Sequence, residues 1–218
     1  MAESPKTFFS RRGFLKGAGV TAASTVLESA QALARETRDN LHGEHTSGPD
    51  AVPVTLRVNG QEHAVSIEPR YTLAETLRDS LGLTGTKVVC DRGSCSACTV
   101  WIDKTPSLAC MTLAIDAVGR EITTIEGLSH GDTMHPVQAA FVKHDAMQCG
   151  FCTPGMVMSC AALLDRNPNP QLADVKHAIS GNLCRCGAYP KIFAATLDVA
   201  QVRRQAAGLV TLQPEREA

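Results

Sequence analysis

The chain has 218 residues, 44% of them hydrophobic, 20% charged and 4% aromatic, with a net charge of −1 and nine cysteines. The near-neutral balance, with no basic stripe, argues against nucleic acid as a partner, and no apolar run reaches the ~18 residues of a membrane span, which argues against a stable membrane anchor. The hydrophobic share can build a core unaided, so the cysteines call for a role other than the disulfide scaffolding found mostly in secreted chains under ~80 residues.

At the amino terminus, Ser10-Arg11-Arg12-Gly13-Phe14-Leu15-Lys16 precedes a weakly apolar run from Gly17 to Leu27. Paired arginines ahead of such a stretch read as a twin-arginine export signal, and Ala32-Leu33-Ala34 offers a small-x-small cleavage site. The expectation is a signal peptide over 1–34, the Tat export machinery as a partner and the periplasm as destination. Gly17-Ala18-Gly19-Val20-Thr21-Ala22 satisfies G-x-G-x-x-A, but it follows an arginine-rich leader and not a strand, so it is read as no dinucleotide site. Residues 35–52 are polar and aperiodic, a flexible linker.

A first domain is expected over 53–129. Val54-Thr55-Leu56-Arg57-Val58 and Ala64-Val65-Ser66-Ile67 alternate around Asn59-Gly60, a strong hairpin signal. Thr72-Leu73-Ala74-Glu75 reads as a capping box, and Leu73, Leu77 and Leu81 mark a helix that stops at Gly82. Further strands are predicted at Thr99 to Ile102, Leu108 to Ile115 and Glu121 to Ile125. A helical domain is expected over 130–212: Pro136 starts one helix, Thr153-Pro154 caps a second running to about Arg166, a third covers Leu172 to Ser180, and a fourth runs from near Pro190 to about Ala207. The fold class is therefore α+β, a small mixed sheet with one helix across it followed by a bundle of four short helices.

Eight cysteines fall into two quartets. Cys90-x4-Cys95-x2-Cys98 with Cys110 has the plant-type [2Fe–2S] spacing, and Cys149-x2-Cys152 is joined by Cys184-x-Cys186. Bridged iron needs thiolates at near-tetrahedral angles, and a loop with three cysteines in nine residues can wrap a cluster while its N–H groups point at the sulfurs. Gly93 permits the close approach and positive φ that such a loop needs. Structural zinc would use Cys95-x2-Cys98 and Cys149-x2-Cys152 as knuckles, but Cys90 and Cys184-x-Cys186 do not fit that habit. Cys160, Met156 and Met158 read as packing, and no histidine is nominated as a ligand.

The segments Cys90-Asp91-Arg92-Gly93-Ser94-Cys95-Ser96-Ala97-Cys98-Thr99-Val100, Gln148-Cys149-Gly150-Phe151-Cys152-Thr153-Pro154-Gly155 and Gly181-Asn182-Leu183-Cys184-Arg185-Cys186-Gly187 resemble the iron–sulfur subunit of the xanthine dehydrogenase and aldehyde oxidoreductase family of molybdenum hydroxylases. The leader adds a likeness to the periplasmic aldehyde oxidoreductase type. The resemblance implies a β-grasp ferredoxin domain and a four-helix bundle, each with one [2Fe–2S] cluster. It implies a molybdopterin cofactor in a large partner subunit, an FAD-binding third subunit, and electrons passing from the bundle cluster to the first-domain cluster. It implies no catalytic residue in this chain, and pterin contacts at Gln148 and Cys186. Aldehydes are the expected substrates, N-heterocycles the alternative; a free-standing ferredoxin and a structural metal-binding module are the competing classes. The family commonly has glycine where this chain has Val89 and Ser96.

Overall fold

The computed structural model describes residues 48–206 and Gly208. The expected signal peptide with its Gly17–Ala22 run, the greater part of the linker and the chain beyond Gly208 lie outside the described residues. The described residues belong to one compact unit.

Two strands, β1 (Val52–Val58) and β2 (Gln61–Ile67), pair antiparallel with Val58 opposite Gln61. Their turn places Asn59 at φ 53° and Gly60 at φ 78°, the left-handed pair that a two-residue hairpin requires. The first strand begins at Val52, one residue inside the stretch read as linker. Helix α1 starts at Leu73–Glu75 and continues as a π-turn over Thr76–Ser80. Its capping box is formed: the Thr72 hydroxyl accepts the Glu75 N–H at 3.2 Å while Glu75 accepts the Thr72 N–H at 2.8 Å. The remaining strands, β3 (Thr99–Ile102), β4 (Thr105–Leu108) and β5 (Glu121–Thr123), complete a five-stranded sheet in the order β2-β1-β5-β3-β4, in which β1 and β5 are parallel and the other neighbours antiparallel.

The expected strand from Leu108 to Ile115 is not formed. The pairing strand ends at Leu108, and 3-10 turns at Ala109–Met111 and Ala114–Ala117 replace the rest. These turns bury Ala109, Cys110, Ala114 and Ala117 without alternation, and the Ala109 N–H reaches back to the Cys98 carbonyl. A continuous apolar run does not distinguish a strand from a buried turn, which is why the pattern misleads there.

The helical half contains α2 (Pro136–Lys143), α3 (Thr153–Arg166), α4 (Leu172–Ala178) and α5 (Tyr189–Ala206). The last, 18 residues long, lies within one residue at each end of the helix expected from Pro190 to about Ala207. Helix α3 is buried on nearly every side, including Met156, Met158 and Cys160, so it is the axis about which the others pack. Its N-cap is Cys152 and makes no side-chain cap bond; Thr153 lies inside the first turn, where its hydroxyl is buried without a partner, so Thr153 is not the cap the sequence suggested.

Strand β3 joins the halves because side chains alternate along a strand. Val100 and Ile102 enter the core under α1, with Leu56, Val58, Leu73, Leu77 and Ile122. Trp101, the chain's one tryptophan, faces the other way into the helical core and donates its indole N–H to the Met158 carbonyl at 3.0 Å. Leu128, in the 3-10 turn Ile125–Leu128, also belongs to that core.

Candidate iron–sulfur centres

Each quartet is assembled in pairs. Among side chains, the Cys90 thiol is influenced most closely by that of Cys95, and the Cys98 thiol by that of Cys110. In the helical half Cys149 pairs with Cys186, and Cys152 with Cys184. Two sulfurs for each of two irons is the division a [2Fe–2S] cluster requires. Among the described residues no three Cys, His, Asp or Glu side chains converge on one point, as a mononuclear ion would need.

Local backbone geometry explains the first loop. Gly93 has φ 72°, and a Cβ there would lie 3.0 Å from Met111 Cγ, so both positive φ and close packing favour glycine. Beyond it, the Ser94 N–H points at Cys90 Sγ from 3.3 Å. The backbone N–H of Arg92, first, with the Cys95 thiol next, lowers the Cys90 pKa to about 7, so this exposed-side thiol is poised to ionise. Cys98 behaves oppositely: burial pushes it up to about 12.

The second quartet sits at two helix N-termini, with Cys149 and Cys152 ahead of α3 and Cys184 and Cys186 ahead of α5. The positive ends of these helices favour anionic sulfur. The Phe151 N–H and then the Cys186 thiol lower the Cys149 pKa, whereas burial raises Cys152 to about 12. Burial also opposes ionisation of Cys184, but the N–H groups of Ala188, Cys186 and Gly187 and the Cys152 thiol outweigh it and hold its pKa low. Ala188 N–H lies 3.5 Å from Cys184 Sγ.

The two loops touch. One cleft of ≈470 Å³ is lined by Cys90 and Cys95 from the first quartet and by Cys149, Cys152 and Cys184 from the second. The Leu183 N–H donates to the Cys95 carbonyl at 3.1 Å, linking the residue before Cys184 directly to a member of the other quartet. A Cβ on Gly155 would fall 2.3 Å from the Ser96 carbonyl oxygen, so glycine at this position in α3 lets the helix press against the first loop.

Ser96 has φ 54°, a left-handed conformation that costs a non-glycine residue roughly 1–2 kcal/mol. Its carbonyl is held by the Thr99 hydroxyl at 2.7 Å and by Asn182 Nδ2 at 3.2 Å. Val89 is not in the left-handed region; its side chain, 57% exposed, stands at the rim of the cleft, so it acts on solvent access and not on the backbone. Gln148 is exposed and donates from Nε2 to the Cys186 carbonyl at 3.4 Å, which brings the two expected pterin-contacting residues onto one surface. Cys160 is fully buried in the helical core with its pKa raised to about 11 by burial, as a packing residue would be.

Sequence reasoning passed over Asn182, Tyr189 and Trp101. Asn182 and Tyr189 bracket the Cys184-x-Cys186 unit, and their proximity to it was the available signal; Trp101 had the signal of an unbroken apolar strand, which implies two covered faces.

Two paired thiol quartets, one in a five-stranded sheet domain and one at the head of a helical bundle, define a two-cluster iron–sulfur protein. Residues 56–114 match the family described as a 2Fe-2S iron-sulfur cluster binding domain, and residues 124–197 the family described as a [2Fe-2S] binding domain. The chain is 41% identical over 205 residues to the aldehyde oxidoreductase iron-sulfur-binding subunit PaoA of Escherichia coli K12, covering 87% of each. It is 46% identical over 152 residues to the nicotine 6-hydroxylase small subunit of Paenarthrobacter nicotinovorans, covering 70% of this chain and 92% of that one. Quinoline 2-oxidoreductase from Pseudomonas putida 86 superposes with a TM-score of 0.69 at 42% identity, covering 74% of this chain and 99% of that chain. The chain belongs to the family of iron–sulfur subunits of aldehyde oxidoreductase and xanthine dehydrogenase-type enzymes, molybdenum hydroxylases with an α+β ferredoxin domain followed by a helical [2Fe–2S] domain.

Proposed function

We propose that this chain is the electron-carrying subunit of a periplasmic molybdenum hydroxylase that oxidises aldehydes. Cys90, Cys95, Cys98 and Cys110 hold one [2Fe–2S] cluster, and Cys149, Cys152, Cys184 and Cys186 hold the other. The observation that carries the reading is the common cleft of the two quartets, with Leu183 N–H bonded to the Cys95 carbonyl. When bound, the clusters supply one-electron acceptor sites, which divide the two electrons of an aldehyde oxidation into single transfers.

The residues of this chain set the direction. Cys149 is exposed beside Gln148, and Phe151 and Leu183 are 52% and 58% exposed nearby. This face receives the large molybdopterin-binding subunit, with Gln148 and Cys186 meeting the pterin. Electrons then leave from the Cys90 side to an FAD-binding subunit or an external carrier. A bundle and second quartet would serve no purpose in a free-standing ferredoxin. Oxidation of N-heterocycles is the second reading, favoured by the names of the nicotine and quinoline relatives. The aldehyde reading is supported by the likeness to the E. coli aldehyde oxidoreductase subunit, which extends over 87% of this chain against 70% for the nicotine 6-hydroxylase subunit.

The test is copurification with the native large subunit followed by rapid mixing with an aldehyde. Both clusters should be reduced, the bundle cluster first, and Gln148→Ala should slow that reduction with iron content unchanged. Reduction of the first-domain cluster ahead of the other, or none by any aldehyde, would overturn the proposal. Changing Arg11 and Arg12 to lysine should leave the subunit in the cytoplasm; normal periplasmic activity would remove the export part of the reading.

A further inference from the structure

The loop carrying Cys184 and Cys186 is tied from both ends by side chains that are not candidate ligands. The Tyr189 hydroxyl donates to the Asn182 carbonyl and accepts the Cys184 N–H, each at 2.9 Å. Asn182 is 4% exposed. Its Oδ1 accepts from the Ser159 hydroxyl of α3 at 3.1 Å, and its Nδ2 donates to the Ser96 carbonyl in the first loop at 3.2 Å. One buried amide therefore joins α3, the Cys184 loop and the Cys90–Cys98 loop, and it does so beside the Leu183 to Cys95 bond.

An N–H aimed at a cluster sulfur stabilises the added electron and raises the potential. The Ala188 N–H is so aimed at Cys184 Sγ, but the N–H of Cys184 itself is turned to the phenol. Without that phenol the amide would turn to sulfur or water, because a backbone donor does not stay unpaired. We propose that Tyr189 and Asn182 form a positioning clasp for the relay. Tyr189 withholds the Cys184 amide from the bundle cluster and so sets its potential; Asn182 holds the two cluster loops in register and so sets the transfer rate between them. The inference rests on the electron-carrying reading above, and it names residues for which that reading has no role.

The measurement is a redox titration followed by paramagnetic resonance on the assembled complex, reduced directly with dithionite. It needs neither substrate nor turnover, so failure of the aldehyde reading would leave it intact. Tyr189→Phe should retain iron, raise the potential of the bundle cluster and change its signal, with the first-domain cluster as in the wild type. Asn182→Ala should weaken the magnetic interaction between the two reduced clusters and slow their electron exchange. Wild-type potentials in Tyr189→Phe, a shift confined to the first-domain cluster, or wild-type interaction in Asn182→Ala would overturn the proposal. Loss of iron from Tyr189→Phe would also overturn it, since the phenol would then be a structural strut. Should Asn182→Ala fail to assemble, Asn182→Asp keeps the acceptor for Ser159 and removes the donor to Ser96, and it is read the same way.

Discussion

The two quartets differ in how far the chain itself encloses them. In the first, Cys95, Cys98 and Cys110 are each no more than 8% exposed, and only Cys90 stands at the rim. In the second no cysteine is buried, and Cys149 is exposed. A sheet domain can fold a loop back over its own ligands, whereas ligands at helix N-termini sit where the bundle ends. The first site is thus the more enclosed by this chain, and the second the more open. That is the division expected of a subunit that docks on one side and discharges on the other.

The largest test of this difference is to remove one ligand from each site. Cys95→Ser and Cys184→Ser should each take the iron from about four to about two per chain and abolish one of the two paramagnetic signals. Only Cys184→Ser should weaken copurification with the large subunit. Equal loss of binding in both variants would erase the distinction.

A smaller effect is expected at the joint between the halves. Trp101→Ala empties a site in the helical core and should cost about 3–5 kcal/mol. Because Trp101 is on a strand whose other face builds the α1 core, calorimetry should then resolve separate transitions for the two halves. Trp101→Phe, which loses mainly the bond to the Met158 carbonyl, should cost only about 1 kcal/mol. A single transition in Trp101→Ala would show that other contacts join the halves.

The smallest effect compares thiols in the cluster-free chain. Only thiolate is alkylated, so Cys90 should gain reactivity as the pH rises through about 7, being protonated and slow below that. Cys149, with its pKa also lowered, should follow; Cys98 and Cys152, raised to about 12, should remain protonated and slow at neutral pH. Mapping the labelled cysteines by mass spectrometry at several pH values checks this, and equal labelling of all eight would refute it.

Much of the fold is legible from short-range chemistry. Asn59-Gly60, the Thr72 to Glu75 capping box and Pro136 at a first helical position announce their elements because each depends on neighbours within a few residues. Where a reading fails, a longer-range demand intervenes: Leu108 to Ile115 leaves the strand because Cys110 must turn toward Cys98, and Thr153 yields the cap position to Cys152.

By itself the sequence determined that there are two quartets, that their spacings suit two binuclear clusters, and that a sheet precedes a bundle. Ligand spacing, turn chemistry and apolar period are local quantities, fixed once the residues are in order. Only the tertiary structure decided which thiols pair, that both quartets open on one cleft, and that Asn182 reaches Ser96 across 86 residues of chain. Those relations depend on the packing of α3 against the first loop, where a missing Cβ at Gly155 permits a contact that no spacing rule contains.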